Sequence, residues 1–128
     1  MGWRNLIADT KEYQEELNNT NIELEIRDKT TEIAALLIRK NRDYKGASFD
    51  LGTIGNGIHL WDKIKRYRNM VLSGTKPNYE TATETLQDIA GYAILGLIIA
   101  DIESEASERL NNATKWRYDE TFLVFCQF

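Results

Sequence analysis

Apolar side chains recur at intervals of three and four residues along most of the chain, and this spacing is typical of amphipathic α-helices. The runs predict helices over about residues 3–18, 22–41, 54–71 and 82–110. The pattern therefore predicts an all-α bundle of about four helices, in a single domain over residues 1–128.

Polar and turn-forming segments separate these runs. Asn18–Asn21 breaks the first from the second, Lys45–Ser48 predicts a loop, and Ser73–Pro77 ends the third helix. Thr81–Glu84 has the spacing of a capping box, in which a Thr side chain and a Glu three residues later satisfy each other's backbone N–H groups. We therefore expect the fourth helix to begin near residue 82.

Two segments depart from a simple amphipathic pattern. Ile89–Ala100 is apolar nearly all round, which is typical of a central buried helix. Residues 116–128 are rich in aromatic and β-branched residues and predict a short strand or an irregular clasp, which we assign to 114–128. We expect this tail to pack on its own bundle or on a neighbouring subunit, because exposed it would aggregate.

Length and composition narrow the class of protein. The single cysteine, Cys126, has no partner for an internal disulfide, and the first residues lack the apolar stretch of a secretory signal. Ile89–Ala100 is about half of the ~20 residues needed to cross a bilayer. We expect a cytosolic protein without a membrane span, and a homo-oligomer, since a small bundle with an apolar tail has surface to cover.

Charge is distributed unevenly. The net charge is −4, but residues 38–76 carry nine basic and three acidic residues, a balance of +6 that leaves −10 for the flanks. An acidic protein is a poor binder of duplex nucleic acid, because binding requires a broad basic surface. A compact basic region between acidic flanks instead favours a small anion, with or without a divalent metal ion.

The end of the second predicted helix is the first candidate for a ligand site. It combines donors, a carboxylate and aromatic rings around a turn at Gly46: Lys40, Asn41, Asp43, Tyr44, Ser48 and Phe49. Such a segment can surround a polar ligand. Alternatively, the cations complement the negative end of the helix dipole, and Asn41 and Gly46 are ordinary residues of a helix end.

The third predicted helix carries a second candidate. If Trp61 and Ile64 face the core, then Asp62, Arg66 and Asn69 share one line of the helix. Lys63 lies beside this line, so Arg66 and Lys63 together suit phosphate oxygens. The alternative is an exposed ion pair between Asp62 and Arg66, worth about 0.3–0.5 kcal/mol.

Glu84 and Asp88, one helical turn apart, form the third candidate. Two carboxylates at this spacing repel each other, and a divalent cation such as Mg²⁺ or Mn²⁺ would offset the repulsion. The capping box explains Glu84 without a metal. Asp88 stands at the edge of the apolar stretch, where it needs a metal ion, Arg66 or Lys63 as a partner.

Three motifs together resemble a known family. They are Lys40-Asn41-x-Asp43-Tyr44-x-x-x-Ser48-Phe49, Asp62-Lys63-x-x-Arg66-x-x-Asn69 and Glu84-Thr85-Leu86-x-Asp88-x-Ala90-x-Tyr92-Ala93-Ile94. Over about residues 33–99 the chain resembles the nucleotide-modification-associated domain family, an α-helical family of phages and prophages. The resemblance implies that the protein is encoded by a phage, that it takes part in nucleotide biochemistry, and that it acts in the cytosol of the host cell.

A more distant similarity is to the all-α nucleoside triphosphate pyrophosphatases of the MazG type, which hold Mg²⁺ with helical carboxylates and cleave between the α and β phosphates. The chain lacks their Glu-Glu-x-x-Glu motif on the preceding helix. The resemblance therefore supports nucleotide binding more strongly than hydrolysis.

Three hypotheses follow. In the first, a metal ion on Glu84 and Asp88, joined by Asp62 or Asp43, activates water against a bound nucleotide phosphate. In the second, the protein sequesters a nucleotide, such as a host defence signal, without turnover. In the third, it is a structural subunit in which Asp62, Arg66 and Asp88 form an ion network.

The first two hypotheses use the same pocket. Its expected ligand-binding residues are Lys40, Asn41, Asp43, Tyr44, Phe49, Lys63, Arg66, Asn69 and Tyr92, with Tyr79 as a further ring for stacking.

Overall fold

A computed structural model describes residues 7–73 and 79–116. Over these ranges the chain is all-α, as expected, with 91% of its residues helical and no strand. The helices are α1 (Lys11–Asn19), α2 (Ile22–Tyr44), α3 (Gly52–Leu72) and α4 (Tyr79–Trp116), with a short 3-10 turn, Ala47–Phe49, between α2 and α3.

The first two helices begin at side-chain caps. The Thr10 hydroxyl accepts a hydrogen bond from the backbone N–H of Tyr13, and the Asn21 side chain accepts one from Leu24. Residues 7 and 8 are also helical, but the chain turns at Asp9 and Thr10 before α1 begins, so the predicted continuous helix over residues 3–18 is interrupted there. Residues 3–6 of that prediction lie outside the described ranges.

The turn after α2 uses the left-handed backbone region. Lys45 has a φ of 51° and Gly46 a φ of 78°, and the Lys45 N–H closes the helix on the Asn41 carbonyl. Glycine adopts this conformation without steric cost. Because the turn comes after Tyr44, α2 runs about one turn further than the predicted end near Asn41.

α3 and α4 form an antiparallel hairpin. Asn56 is buried and donates from Nδ2 to the Tyr92 carbonyl at 2.8 Å. Gly96 permits this approach, because a Cβ there would lie 2.6 Å from the Asn56 side-chain oxygen. Further along, Lys63 meets Asp88. As residue numbers rise along α3 they fall along α4, so the helices run in opposite directions.

Only the C-terminal half of α2 packs against this hairpin. Leu37 lies beside Gly91, where a Cβ would stand 3.5 Å from the leucine Cδ1. From Ile22 to Glu32, by contrast, every side chain of α2 is exposed, and the same holds for Lys11–Asn19 of α1. α1 and the first half of α2 therefore form an arm whose side chains the described residues leave uncovered.

The limits of α4 differ from those predicted. The helix as described begins at Tyr79, so Thr81 lies inside it rather than at its N-cap, and the Thr85 hydroxyl donates to the Thr81 carbonyl. Its backbone continues to Trp116, so residues 114–116 belong to the helix and not to a clasp. Residues 117–128, where we predict the remainder of the clasp, lie outside the described ranges.

The core is small, and the prediction of a fully buried central helix is wrong. Among the described apolar side chains, only Leu95 and Ile99 are buried. On other sides of the same helix Ile94, Leu97 and Ile98 are 38%, 70% and 42% exposed. Within residues 7–73 and 79–116, the sides of α4 that face α2 and α3 are covered and the remaining side is exposed.

One helix segment, Thr81–Ala113, is long and apolar enough to cross a membrane by length and composition alone. The core helix of a soluble protein can pass the same test. Localisation in the cytosol stays a prediction.

Candidate functional site

A cavity of about 250 Å³ lies where the C-terminal half of α2 meets α3 and the middle of α4. Its walls combine aliphatic side chains with a small polar group: Ile33, Leu36, Leu37, Lys40, Tyr44, Ser48, Lys63, Gln87, Asp88, Gly91, Tyr92 and Leu95. Each of the three helices contributes one charged residue to these walls.

These charges form a single cluster. Lys40 Nζ lies 3.0 Å from Asp88 Oδ1, and Lys63 Nζ lies 3.0 Å from Asp88 Oδ2. The side chains of Asp88 and Lys63 are only 24% and 21% exposed, and that of Lys40 is 43% exposed. The cluster therefore links α2, α3 and α4 through one carboxylate. Lys63 is one of the three partners that the sequence predicted for Asp88.

The two lysines hold Asp88 in its ionised form. Burial by itself raises the pKa of this carboxyl, but hydrogen bonds from Lys63 and Lys40, with their positive charges, outweigh burial. The net effect lowers the pKa of Asp88 below its ordinary value of 3.8. At neutral pH the cluster thus contains two cations and one anion, a net charge of +1.

The excess charge is suited to an anion. An ammonium group has three N–H donors, and the contact with Asp88 uses one donor of each lysine. Both lysines can therefore donate to a second acceptor in the cavity while keeping their contacts with Asp88. Partial burial strengthens such contacts, because the local dielectric constant is lower than that of water.

Two tyrosines contribute aromatic surface to the same cavity. Tyr44, at the end of α2, is 63% exposed, and Tyr92 is half-buried. Tyr92 stacks on His59 of α3, with ring centroids 4.9 Å apart and ring planes 5° from parallel. Because the Tyr92 carbonyl also accepts from Asn56, both parts of the residue are fixed to α3. Rigid rings beside cations can stack a planar heterocycle.

The cavity brings together six of the residues singled out from the sequence, between one and three from each motif: Lys40, Tyr44, Ser48, Lys63, Asp88 and Tyr92. The other expected residues of the first motif do not line it. Asn41 and Asp43 are exposed on α2, and Phe49 is half-buried in the 3-10 turn. Asn69 is exposed on α3, and nothing is described of the Tyr79 side chain.

Asp62 and Arg66 form the exposed ion pair that was the alternative interpretation of this motif. Arg66 Nε lies 3.2 Å from Asp62 Oδ2, and the side chains are 61% and 56% exposed. The pair is separate from the Asp88 cluster, so the predicted ion network of Asp62, Arg66 and Asp88 does not form. The premise that Trp61 and Ile64 face the core is also wrong, because they are 65% and 44% exposed. Lys63 faces inward instead.

Glu84 and Asp88, the expected metal ligands, have different surroundings in the structure. Both carboxylate oxygens already accept from lysines, and Glu84 is exposed. Within the described ranges no three His, Cys, Asp or Glu residues are grouped so that they could hold a metal ion. Magnesium binding by Glu84 and Asp88 stays a prediction.

The glycine-rich start of α3 presents the backbone N–H groups of a helix N-terminus, which can bind an anion. Its first turn is engaged by a carboxylate of the chain itself. The Thr53 N–H donates to Glu103 Oε1 at 3.0 Å, and the Thr53 hydroxyl donates to Glu103 Oε2. These hydrogen bonds lower the pKa of Glu103, and the contact fixes the end of the hairpin.

Sequence reasoning missed most of the apolar wall, including Leu36, Leu37 and Leu95, and the polar Gln87. Gly91 carried a usable signal, because a glycine in an apolar helix marks a position where another element approaches closely. The leucines carried none, since an apolar residue on a helix face looks the same whether it faces a core or a ligand.

Comparisons with protein-family models, with curated proteins and with solved structures found no significant match. The resemblance to the nucleotide-modification-associated domain family accordingly rests on the motif residues themselves.

Proposed function

We propose that this protein binds a nucleotide in the cavity between α2, α3 and α4, with the phosphate groups on Lys40 and Lys63 and the base against Tyr44 or Tyr92. The observation that carries the proposal is the convergence of two lysines from different helices on one partly buried carboxylate in the wall of a cavity. Asp88 orients the ammonium groups, and the excess positive charge is left for the ligand.

The size of the cavity limits how the ligand is held. Its volume of about 250 Å³ is slightly below the about 300–1,000 Å³ of common ligand pockets. We therefore expect the phosphates to enter the cavity and the sugar or base to lie over its mouth, where Tyr44 is exposed. Every base can stack on an aromatic side chain, so this mode of binding selects a negatively charged ligand with a planar ring rather than one particular base.

Binding without turnover is the form of the proposal that the geometry supports best. Hydrolysis assisted by a metal ion requires Asp88 to exchange at least one lysine for the metal, whereas sequestration uses the cluster as it stands. Together with the resemblance to a phage family, this favours a protein that captures a nucleotide, for example a signal of host defence.

The first experiment combines binding with product analysis. The purified chain is incubated with ribo- and deoxyribonucleoside triphosphates, cyclic dinucleotides and ADP-ribose derivatives, with Mg²⁺ or with EDTA. The protein is then denatured, and the released compounds are separated by chromatography. We expect one nucleotide to be retained in EDTA and released intact.

The matched variants are Lys63→Met and Lys65→Met. Both remove one positive charge from α3, but Lys63 contacts Asp88 and lines the cavity, whereas Lys65 is exposed. Loss of the partly buried cation is expected to cost about 2–5 kcal/mol of binding free energy, which is at least about 30-fold in Kd. Calorimetric titration with the retained nucleotide measures both.

Three results would contradict this proposal. Equal affinity of Lys63→Met and Lys65→Met would remove the cavity from the binding site. Products that form only with Mg²⁺ would replace sequestration by hydrolysis. A panel that neither binds nor reacts, together with lower stability of Lys63→Met, would leave the cluster with a structural role alone.

A further inference from the structure

The hairpin of α3 and α4 has an apolar side turned away from α2 and from the cavity. On α4 it contains Leu86, Ala93 and Leu97, which are separated by seven and four residues and therefore lie in one stripe. On α3 it contains Trp61 and Ile64, which lie about 160° and about 100° around the helix from Lys63 in the cavity wall. We call these five residues the outer face. All five are exposed, and Leu97 and Trp61 expose 70% and 65% of their surface.

Contacts along the two helices show which sides are already occupied. Gly91 of α4 lies against Leu37 of α2, while Tyr92 and Gly96 of α4 contact His59 and Asn56 of α3. Each residue rotates an α-helix by 100°, so the stripe through Leu97 points away from these contacts. Within the described ranges, no other element covers the side of α4 that carries Leu86, Ala93 and Leu97, although this side is apolar like the packed ones.

We propose that the outer face is the interface with a second copy of this chain, and that α3 and α4 of two chains pack into one four-helix core. This proposal does not depend on the nucleotide ligand. It rests on the described core, in which Leu95 and Ile99 are the buried apolar side chains, a small interior for the 105 residues of the described ranges.

The area is sufficient for such a dimer. Ile54 and Ile58, which are 78% and 61% exposed, continue the apolar stripe of Trp61 along α3. With about 100 Å² for an aliphatic and about 200 Å² for a tryptophan side chain, the face and these neighbours expose on the order of 500 Å² of apolar surface. A standard interface buries about 800 Å² per partner, of which about 65% is apolar in homodimers.

A second copy fits this face better than a bilayer does. Lys65 and Arg68 follow Ile58 and Trp61 in the same stripe of α3, and the face belongs to a hairpin that contains the ionised Asp88 cluster. Charges this close to a spanning segment are expensive in hydrocarbon, whereas at the rim of a protein interface they reach water. The same patch on both copies forms a closed two-fold contact.

The geometry also places the cavity in the dimer. Because the outer face is opposite α2, and the cavity is lined by α2, each chain keeps a complete cavity away from the interface. The dimer therefore holds two separate cavities, with one ligand expected per chain.

The test uses the full chain and two glutamate variants on one helix. Leu97 lies in the outer face, and Leu110 lies beyond the hairpin contacts with a similar exposure of 66%. Sedimentation equilibrium should give twice 14.8 kDa for the wild type and for Leu110→Glu. Leu97→Glu should sediment as the monomer or unfold. The wild-type Tm should rise with protein concentration, as it does when folding and association are coupled.

Each other result would overturn the proposal. A wild-type monomer with a concentration-independent Tm would mean that the outer face stays exposed or is covered by the chain's own C-terminal residues. A dimer that survives Leu97→Glu would use another surface. Partition of the wild type into phosphatidylcholine vesicles, with no dimer in solution, would make α4 a membrane segment.

Discussion

The two sides of the α3–α4 hairpin reverse the usual distribution of residues. On the cavity side, charged Lys63 and Asp88 are 21% and 24% exposed. On the outer face, apolar Leu97 and Trp61 are 70% and 65% exposed. The charged residues are partly buried where α2, α3 and α4 meet, whereas the apolar residues of the outer face are exposed within the described ranges. This difference is what we expect if a second copy covers the outer face, as proposed above, while the described helices of one chain form the cavity.

The sharpest test of this contrast is a pair of leucine truncations on α4. Leu95 is 5% exposed, so Leu95→Ala should lower the free energy of unfolding by about 2–5 kcal/mol. Leu97→Ala should cost less than about 0.5 kcal/mol if Leu97 faces water, and a similar amount to Leu95→Ala if a second copy covers it. Urea unfolding at a fixed protein concentration measures both. A neutral Leu95→Ala would contradict the described core.

The charged side is tested by removing its centre. Asp88→Ala leaves Lys40 and Lys63 without their shared carboxylate and is expected to cost about 1–3 kcal/mol of stability. This is less than for a fully buried pair, because the Lys40 side chain is 43% exposed. Asp62→Ala breaks the exposed pair with Arg66 and should cost less than about 1 kcal/mol. Equal losses in chemical unfolding would show that the Asp88 cluster is not partly buried.

Two glycines of the hairpin differ in how closely another element packs against them. A Cβ at position 96 would lie 2.6 Å from the Asn56 side-chain oxygen, so Gly96→Ala should disturb the bond to Tyr92 and lower stability by about 1 kcal/mol or more. A Cβ at position 57 meets nothing within 4 Å in the chain. Gly57→Ala should raise stability by about 0.5–1 kcal/mol, the helix preference of alanine. Thermal unfolding should show a lower Tm for Gly96→Ala and a higher Tm for Gly57→Ala.

The smallest expected effect is a dependence of the folding stability on pH, which arises from the ionisation of Asp88. Because the folded-state pKa of Asp88 lies below 3.8, its ionisation stabilises the fold above about pH 4, and the contribution is lost as the pH falls through the folded-state pKa. The stability difference between wild type and Asp88→Asn should therefore narrow below pH 4. Urea unfolding from pH 3 to pH 7 measures it. A constant difference would show that the lysines do not lower this pKa.

Local signals in the sequence were sufficient for the helices and for part of the site. Apolar spacing indicated four helices, and the charge of Asp88 beside an apolar stretch indicated a partner such as Lys63. Local signals did not determine where α4 begins or which side of α3 faces the cavity. Thr81 was predicted as a cap although α4 begins earlier, and Asp62 and Arg66 pair on the surface.

The sequence by itself determined the all-α class, the approximate helices and the need of Asp88 for a cation, because helical periodicity and the cost of burying a lone charge are local properties. Only the tertiary structure decided which face of each helix is covered. Trp61 and Lys63 are two residues apart on α3, yet Lys63 lines the cavity and Trp61 is exposed. The crossing of α2 over Gly91 and the pairing of α3 with α4 determine that choice, since apolar spacing marks a face to be covered but not the element that covers it.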